Sequence, residues 1–116
     1  MATSEGFATF VLEQLGGVEG IWARKMFGEY AVYAGEKVVA FLVDNQLFVK
    51  PTDAGRAFLV TPSEEIPFPG ARPMFLVADE LDDPERLCEL VRRTSEALPP
   101  PKPKRPKKPR ERKPAR

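Results

Sequence analysis

The first apolar positions of the chain fall at helical spacing. Phe7, Phe10, Val11 and Leu15 recur at intervals of three and four, which puts them on one stripe of a helix over residues 6–15. Thr3 or Ser4 precedes the stripe as an N-cap, and Gly16-Gly17 ends it, one of the pair being suited to the left-handed position after a helix. The pattern then shortens to three strand-like runs, at 25–34, 37–43 and 46–50, the first interrupted by Gly28. Gly35-Glu36 and Asp44-Asn45 separate the runs and suit two-residue antiparallel turns. In the first run Tyr30, Val32 and Ala34 share one face, with Ala31 and Tyr33 on the other. The second run is apolar without alternation from Val38 to Val43, the pattern of a central strand covered on both faces. Val39, Phe41 and Leu47 are accordingly expected in the core.

After Pro51, Asp53 is placed to cap a short helical turn through Ala57, Phe58 and Leu59. Residues 61–73 carry four prolines and read as loop, with room for an edge strand at 66–68; residues 74–78 form a last strand. Asp82 or Asp83 caps the final helix, Pro84 suits its first turn and Glu85 its positive end. Leu87, Leu90, Val91 and Leu98 give its core stripe, and three prolines from Pro99 stop it. The order α-β-β-β-α-(β)-β-α predicts an α+β fold: a two-layer α/β sandwich with helices on one face of a mostly antiparallel sheet.

Charge divides the chain near Leu98. Up to that residue nine Lys and Arg stand against sixteen Asp and Glu, a net of −7; from Pro99 to Arg116 nine stand against one, a net of +8. Seven of the thirteen prolines also lie in this last segment, whose aliphatic side chains reduce to Ala115. A segment so poor in apolar area cannot offset its ordering entropy, so the expected organisation is a domain over 1–98 and a disordered basic tail over 99–116. The tail cations Lys102, Lys104, Arg105, Lys107, Lys108, Arg110, Arg112, Lys113 and Arg116 are candidates for contact with nucleic-acid phosphates, which needs no sequence readout.

Composition removes several chemistries. There is no histidine and one cysteine, Cys88, so an imidazole-based triad, a His-containing zinc site and an internal disulfide are excluded. No apolar run approaches the roughly 20 residues of a membrane span, and the start, MATSEGF, lacks the basic and apolar regions of a signal peptide. A cytoplasmic protein with no membrane contact is expected.

The segment Ala23-Arg24-Lys25-Met26-Phe27-Gly28-Glu29-Tyr30 resembles the R-x-M-F-G-G-Y/F-G signature of the TfoX/Sxy N-terminal domain family. The stretches from Val32 to Phe41 and from Asp44 to Lys50 resemble the hairpin and strand that follow it in that family, and Pro67-Phe68 and Met74-Phe75-Leu76-Val77 take the places of its later motifs. The likeness covers about residues 5–98. It implies a secretion-chaperone-like two-layer sandwich, and a bacterial regulator of competence or transcription without assigned catalytic residues. Two departures stand out: Glu29 replaces a common second glycine, and a basic tail stands where longer members carry a C-terminal helical domain.

Four groups of residues are candidates for chemistry or recognition. Arg24, Lys25, Met26, Phe27 and Gly28 are candidates for an interaction surface; the conservative alternative puts Phe27 in the core and gives Gly28 a bulge or a close backbone approach. Asp79, Glu80, Asp82, Asp83 and Glu85 are acidic enough to attract a hard cation, but helix capping accounts for several of them. Cys88 lies near a helix start, where a thiol can be activated, but its spacing from Val91 fits packing. Glu29, Glu36 and Asp44 have no spacing that fixes a carboxylate pair.

These readings point to a non-enzymatic interaction protein. It would bind a protein partner through the domain and DNA or RNA through the tail, with no cofactor and no metal, and a homodimer among its allowed states. Two alternatives remain: a chaperone-like dimeric adaptor that does not bind nucleic acid, and a small carboxylate-based hydrolase.

Overall fold

A computed structural model describes residues 2–100. The first helix, α1 (Glu5–Gln14), starts at Ser4, whose hydroxyl accepts a hydrogen bond from the Phe7 N–H at 3.1 Å. Neither Gly16 nor Gly17 takes the left-handed position expected of one of them. The helix closes through Leu15, whose N–H reaches the Val11 carbonyl, and the positive φ of this loop falls on Gly20.

Six strands follow: β1 (Ile21–Met26), β2 (Glu29–Ala34), β3 (Lys37–Val43), β4 (Gln46–Val49), β5 (Ser63–Glu65) and β6 (Met74–Val77). Between β4 and β5 lies α2 (Asp53–Leu59), capped by the Thr52 hydroxyl with Asp53 as its first residue. After β6, a 3₁₀ turn over Asp79–Asp82 leads into α3 (Pro84–Ala97), where the Asp83 side chain accepts from the Arg86 N–H. All pairings are antiparallel, and the spatial order of the sheet is β1-β2-β3-β4-β6-β5. The fold is α+β with two layers, as the sequence predicts.

The cap of α2 is Thr52 rather than the expected Asp53, and three features of the strands and turns also differ from the sequence reading. The run at 25–34 is not one interrupted strand. It holds the end of β1, the turn and all of β2 in a hairpin whose first strand reaches back to Ile21, with Met26 paired to Glu29 across a two-residue turn, Phe27-Gly28. Both turn residues have positive φ, 51° and 83°, as a type I′ turn requires. The bulge assigned to Gly28 lies elsewhere: Val32 pairs with Ala40 and Tyr33 with Val38, so the extra residue is Val39, which is fully buried. Third, the proline-rich edge strand is Ser63–Glu65, while residues 66–68 are loop with Ile66 and Phe68 exposed.

The turns at Gly35-Glu36 and Asp44-Asn45 are where the sequence puts them, with positive φ at Gly35, Asp44 and Asn45. The core lies between the helices and one sheet face. Val11 and Leu15 from the first helical segment and Leu87, Leu90 and Val91 from α3 meet Val32, Leu42, Leu47, Val49, Phe75 and Val77, all buried. Thr94 is the polar residue buried on α3, and its hydroxyl donates to the Leu90 carbonyl at 2.8 Å.

The other sheet face has no second layer among the described residues. By register, Trp22, Arg24 and Met26 line up across it with Tyr33, Ala31 and Glu29, then with Val38 and Phe41, Phe48, and Leu76. Besides Ala31, a small cluster of Val43, Phe48 and Met74 is buried here, flanked by Phe41 and Leu76. This explains the unbroken apolar run of β3. Its inner residues meet the helices, while Phe41, on the outer face, is half-buried rather than in the core.

Candidate functional site

The helix-free face gathers most of the large apolar side chains that the domain leaves in water. Trp22, Met26, Phe27 and Phe68 are all exposed, Phe27 completely at 101%. Large apolar side chains gathered on one face of a small protein make that face the candidate for binding something else.

Its geometry is set at the tip of the β1–β2 hairpin. Phe27 is a bulky residue held at positive φ, a region that costs non-glycine residues roughly 1–2 kcal/mol. Its ring gains no burial in return. A latch holds the tip in place. The Thr3 N–H donates to the Gly28 carbonyl at 3.0 Å, and the Thr3 hydroxyl donates to the Glu29 carboxylate at 2.8 Å. The same carboxylate accepts from the Asp44 N–H at 3.1 Å, and the Thr3 oxygen accepts from the Asn45 N–H at 3.2 Å. Two hairpin tips and the N-terminal segment are thereby tied together around a buried threonine. Glu29, the departure from the family signature, thus has a structural role through its Oε1.

Below the tip, Met26, Phe27, Tyr30, Phe41, Val43 and Phe68 line a cavity of about 380 Å³. Phe41 and Phe68 meet edge to face at 6.1 Å between ring centres. Beyond this pair a second cavity of about 270 Å³ continues the groove past Pro73 and Met74, with Lys50 and Arg72 at its rim. At the other end of the face Trp22 lies flat on Tyr33, ring centres 4.2 Å apart, and its indole N–H donates to the Gly35 carbonyl.

Recesses on the helical side have a different character. One of about 590 Å³ between α1 and α3 is bordered by Glu13, Glu85, Cys88, Glu89 and Arg92, and one of about 470 Å³ by Glu19, Gly35, Arg92 and Glu96. The central polar groups there are already matched. Arg92 donates to the Gly17 carbonyl and pairs with Glu89; Cys88 is buried, and its thiol donates to the Gln14 carbonyl. A hydrogen bond from Arg93 holds the Glu89 carboxyl below the usual carboxylate range, and the nearby charges of Arg93 and Arg92 add to the effect.

The candidate residues separate clearly. Arg24, Lys25, Met26, Phe27 and Gly28 stand together along β1 and at its turn, with Phe27 outside the core. Glu36 is exposed at a turn; Asp79, Glu80 and Asp82 form the 3₁₀ turn and Asp83 caps α3. Among the described residues no three His, Cys, Asp or Glu side chains converge as metal ligands. The nine tail cations lie outside the described residues. Sequence reasoning missed Trp22, Phe41 and Phe68 as parts of one surface. Pro67-Phe68 in a proline-rich loop was the available signal, because an aromatic ring in a loop has little local reason to be there.

The profile of the TfoX N-terminal domain matches residues 13–98, which span everything from the end of α1 to the cap of α3. The chain belongs to the TfoX N-terminal domain family. It is also 45% identical over 107 residues to an uncharacterized 12.7 kDa protein in the trpE 5′ region of Spirochaeta aurantia, an alignment covering 92% of this chain and 93% of that protein. In this TfoX N-terminal domain the signature residues from Arg24 to Gly28 therefore form an exposed hairpin end beside an apolar groove. No helix among the described residues is long and apolar enough to cross a membrane.

Proposed function

We propose that this TfoX N-terminal domain is a regulatory binding module without catalysis. A protein partner docks on the helix-free sheet face, and the basic tail adds sequence-independent affinity for DNA or RNA. The observation that carries this reading is the apolar groove under the Phe27 tip. A catalytic cleft needs convergent polar groups beside its apolar walls. Here the titratable groups at the larger cavity are Glu29 and Tyr30, and the Glu29 carboxylate is already occupied by Thr3 and the Asp44 N–H. Apolar walls whose one carboxylate is held in structural hydrogen bonds, with no cluster of acids and bases converging on one point, favour holding another molecule over transforming it. In this reading the cytoplasmic regulatory role implied by the family likeness, in transcription or competence, is exerted through the partner, while the tail keeps the pair near nucleic acid.

The test is affinity capture with the intact chain, with and without nuclease, alongside a chain ending at Leu98 and a Phe27→Asn/Phe68→Ser double variant. Proteins retained after nuclease treatment and lost with the double variant support the reading. Capture that survives the double variant, or reproducible turnover that Cys88→Ser or Glu29→Gln removes, contradicts it.

A further inference from the structure

We propose that the groove selects an acidic amphipathic protein segment, one that offers apolar side chains along one face and carboxylates beside them. This rests on the docking reading above and adds the chemistry of the partner. The lining is apolar. Met26, Phe27, Phe41, Val43 and Phe68 line an open recess divided by the Phe41–Phe68 contact from a second one, so an occupant gains most by presenting two separate apolar anchors. Amphipathic segments meet that requirement through side chains three or four positions apart.

Charge enters through the distribution of cations. Of the nine Lys and Arg before Pro99, five are engaged: Lys37 with the Ser95 carbonyl, Arg56 with Glu64, Arg86 with Glu80, and Arg92 and Arg93 with Glu89. Among the described residues no side-chain hydrogen bond or ion pair engages Arg24, Lys25, Lys50 or Arg72. Register puts Arg24 on the helix-free face, and Lys50 and Arg72 border the groove. Among the carboxylates, Glu29 lines the groove with its Oε1 held by Thr3 and the Asp44 N–H, and Glu65 pairs with Met74 at the sheet edge, but most lie elsewhere. Ten of the sixteen before Pro99 sit on α1, α2, the 3₁₀ turn, and α3 with its cap. An acidic domain has thus left three of its four unpaired cations on the grooved face or at the groove's border, Lys25 lying on the opposite face by register. Charge matching of this kind sets which partner is accepted and how fast it arrives.

The same distribution bears on other occupants. A second copy would bring the same excess of unpaired cations to the shared face. A nucleic-acid strand would set phosphates on those cations and stack bases on exposed rings such as Phe27 and Phe68, but that mode makes no use of the two separate apolar recesses; oligo-dT tests it directly.

The test is a titration of the ¹⁵N-labelled full chain at about 0.15 M salt, close to physiological ionic strength. One probe is a synthetic peptide with Leu and Phe on one helical face and Glu on the other. The companion probes are its scramble with the apolar residues spread around the helix, its Glu→Lys counterpart, and oligo-dT. The acidic amphipathic peptide should shift amides around Met26–Tyr30, Phe41–Val43 and Phe68–Met74, while the scramble moves only tail resonances. Phe68→Ser should weaken that binding at least tenfold, and Lys50→Glu with Arg72→Glu severalfold, with thermal midpoints unchanged. If the Glu→Lys peptide binds the groove as well or better, the acidic assignment is overturned while the docking reading stands. If oligo-dT shifts the groove and Phe68→Ser abolishes this, the partner is nucleic acid and the assignment fails. A dimer in sedimentation that Phe68→Ser dissociates gives the face to a second copy and also overturns the proposal. If no probe shifts the groove, both readings fall.

Discussion

Replacing Phe27 with asparagine should make the domain more stable and less functional at once. Phe27 sits at φ 51° with its ring wholly in water, so the fold bears the cost of a bulky residue in the left-handed region with no packing to offset it. Asparagine tolerates positive φ, and Asn followed by Gly28 is the pairing that two-residue type I′ turns prefer. No buried area is lost. Recovering about half of the roughly 1–2 kcal/mol strain gives a gain of about 0.5–1 kcal/mol. For a domain of this size that raises the thermal midpoint by roughly 2–8 °C. Circular dichroism melts of the wild type and the variant measure this directly, and the capture experiment reads the loss of partner on the same samples. A midpoint that falls by several degrees would show that the ring packs in the native state. The hairpin tip would then be a structural element, and the reasoning that makes it a contact surface would be wrong.

Other substitutions separate the two sheet faces. Phe75 is fully buried against the helices, so Phe75→Ala should cost roughly 3–5 kcal/mol in urea unfolding; Phe41→Ala, on the half-open face, should cost clearly less, and equal losses would refute the assignment of faces. Thr3→Val keeps the shape but breaks the latch with Glu29 and Asn45, and should cost about 1–3 kcal/mol with the sheet otherwise intact; no measurable change would mean the latch forms too weakly to hold the tip. If about five tail cations contact phosphates, log K for duplex DNA should fall against log salt with a slope of about −4 to −5, and a flat dependence would remove the tail from the account.

Most of the fold could be read from the chain because its signals are local. Helical spacing, caps at Ser4 and Asp83, and two turns with residues that accept positive φ sufficed for α1, α3 and the β2–β3–β4 meander. The β1–β2 turn escaped because Phe-Gly is not a turn pair by propensity; only the register of the finished hairpin shows why the chain reverses there. The β3 run was misread for a related reason. An unbroken apolar strand looks the same whether its outer face is covered by a second layer or left free for a partner. The site was therefore half legible. Arg24 to Gly28 stood out as a group, but their union with Phe41, Phe68, Lys50 and Arg72 depends on strand order and on a loop folding over the sheet.

Site-specific photocrosslinking in cells tests the central claim most directly. With benzoylphenylalanine at Phe68, on the helix-free face, and separately at Glu85, on the exposed side of α3, the account predicts a discrete protein adduct from position 68 and none of comparable yield from position 85. Adducts from position 85 with none from position 68 would move the working surface to the helical layer and contradict it.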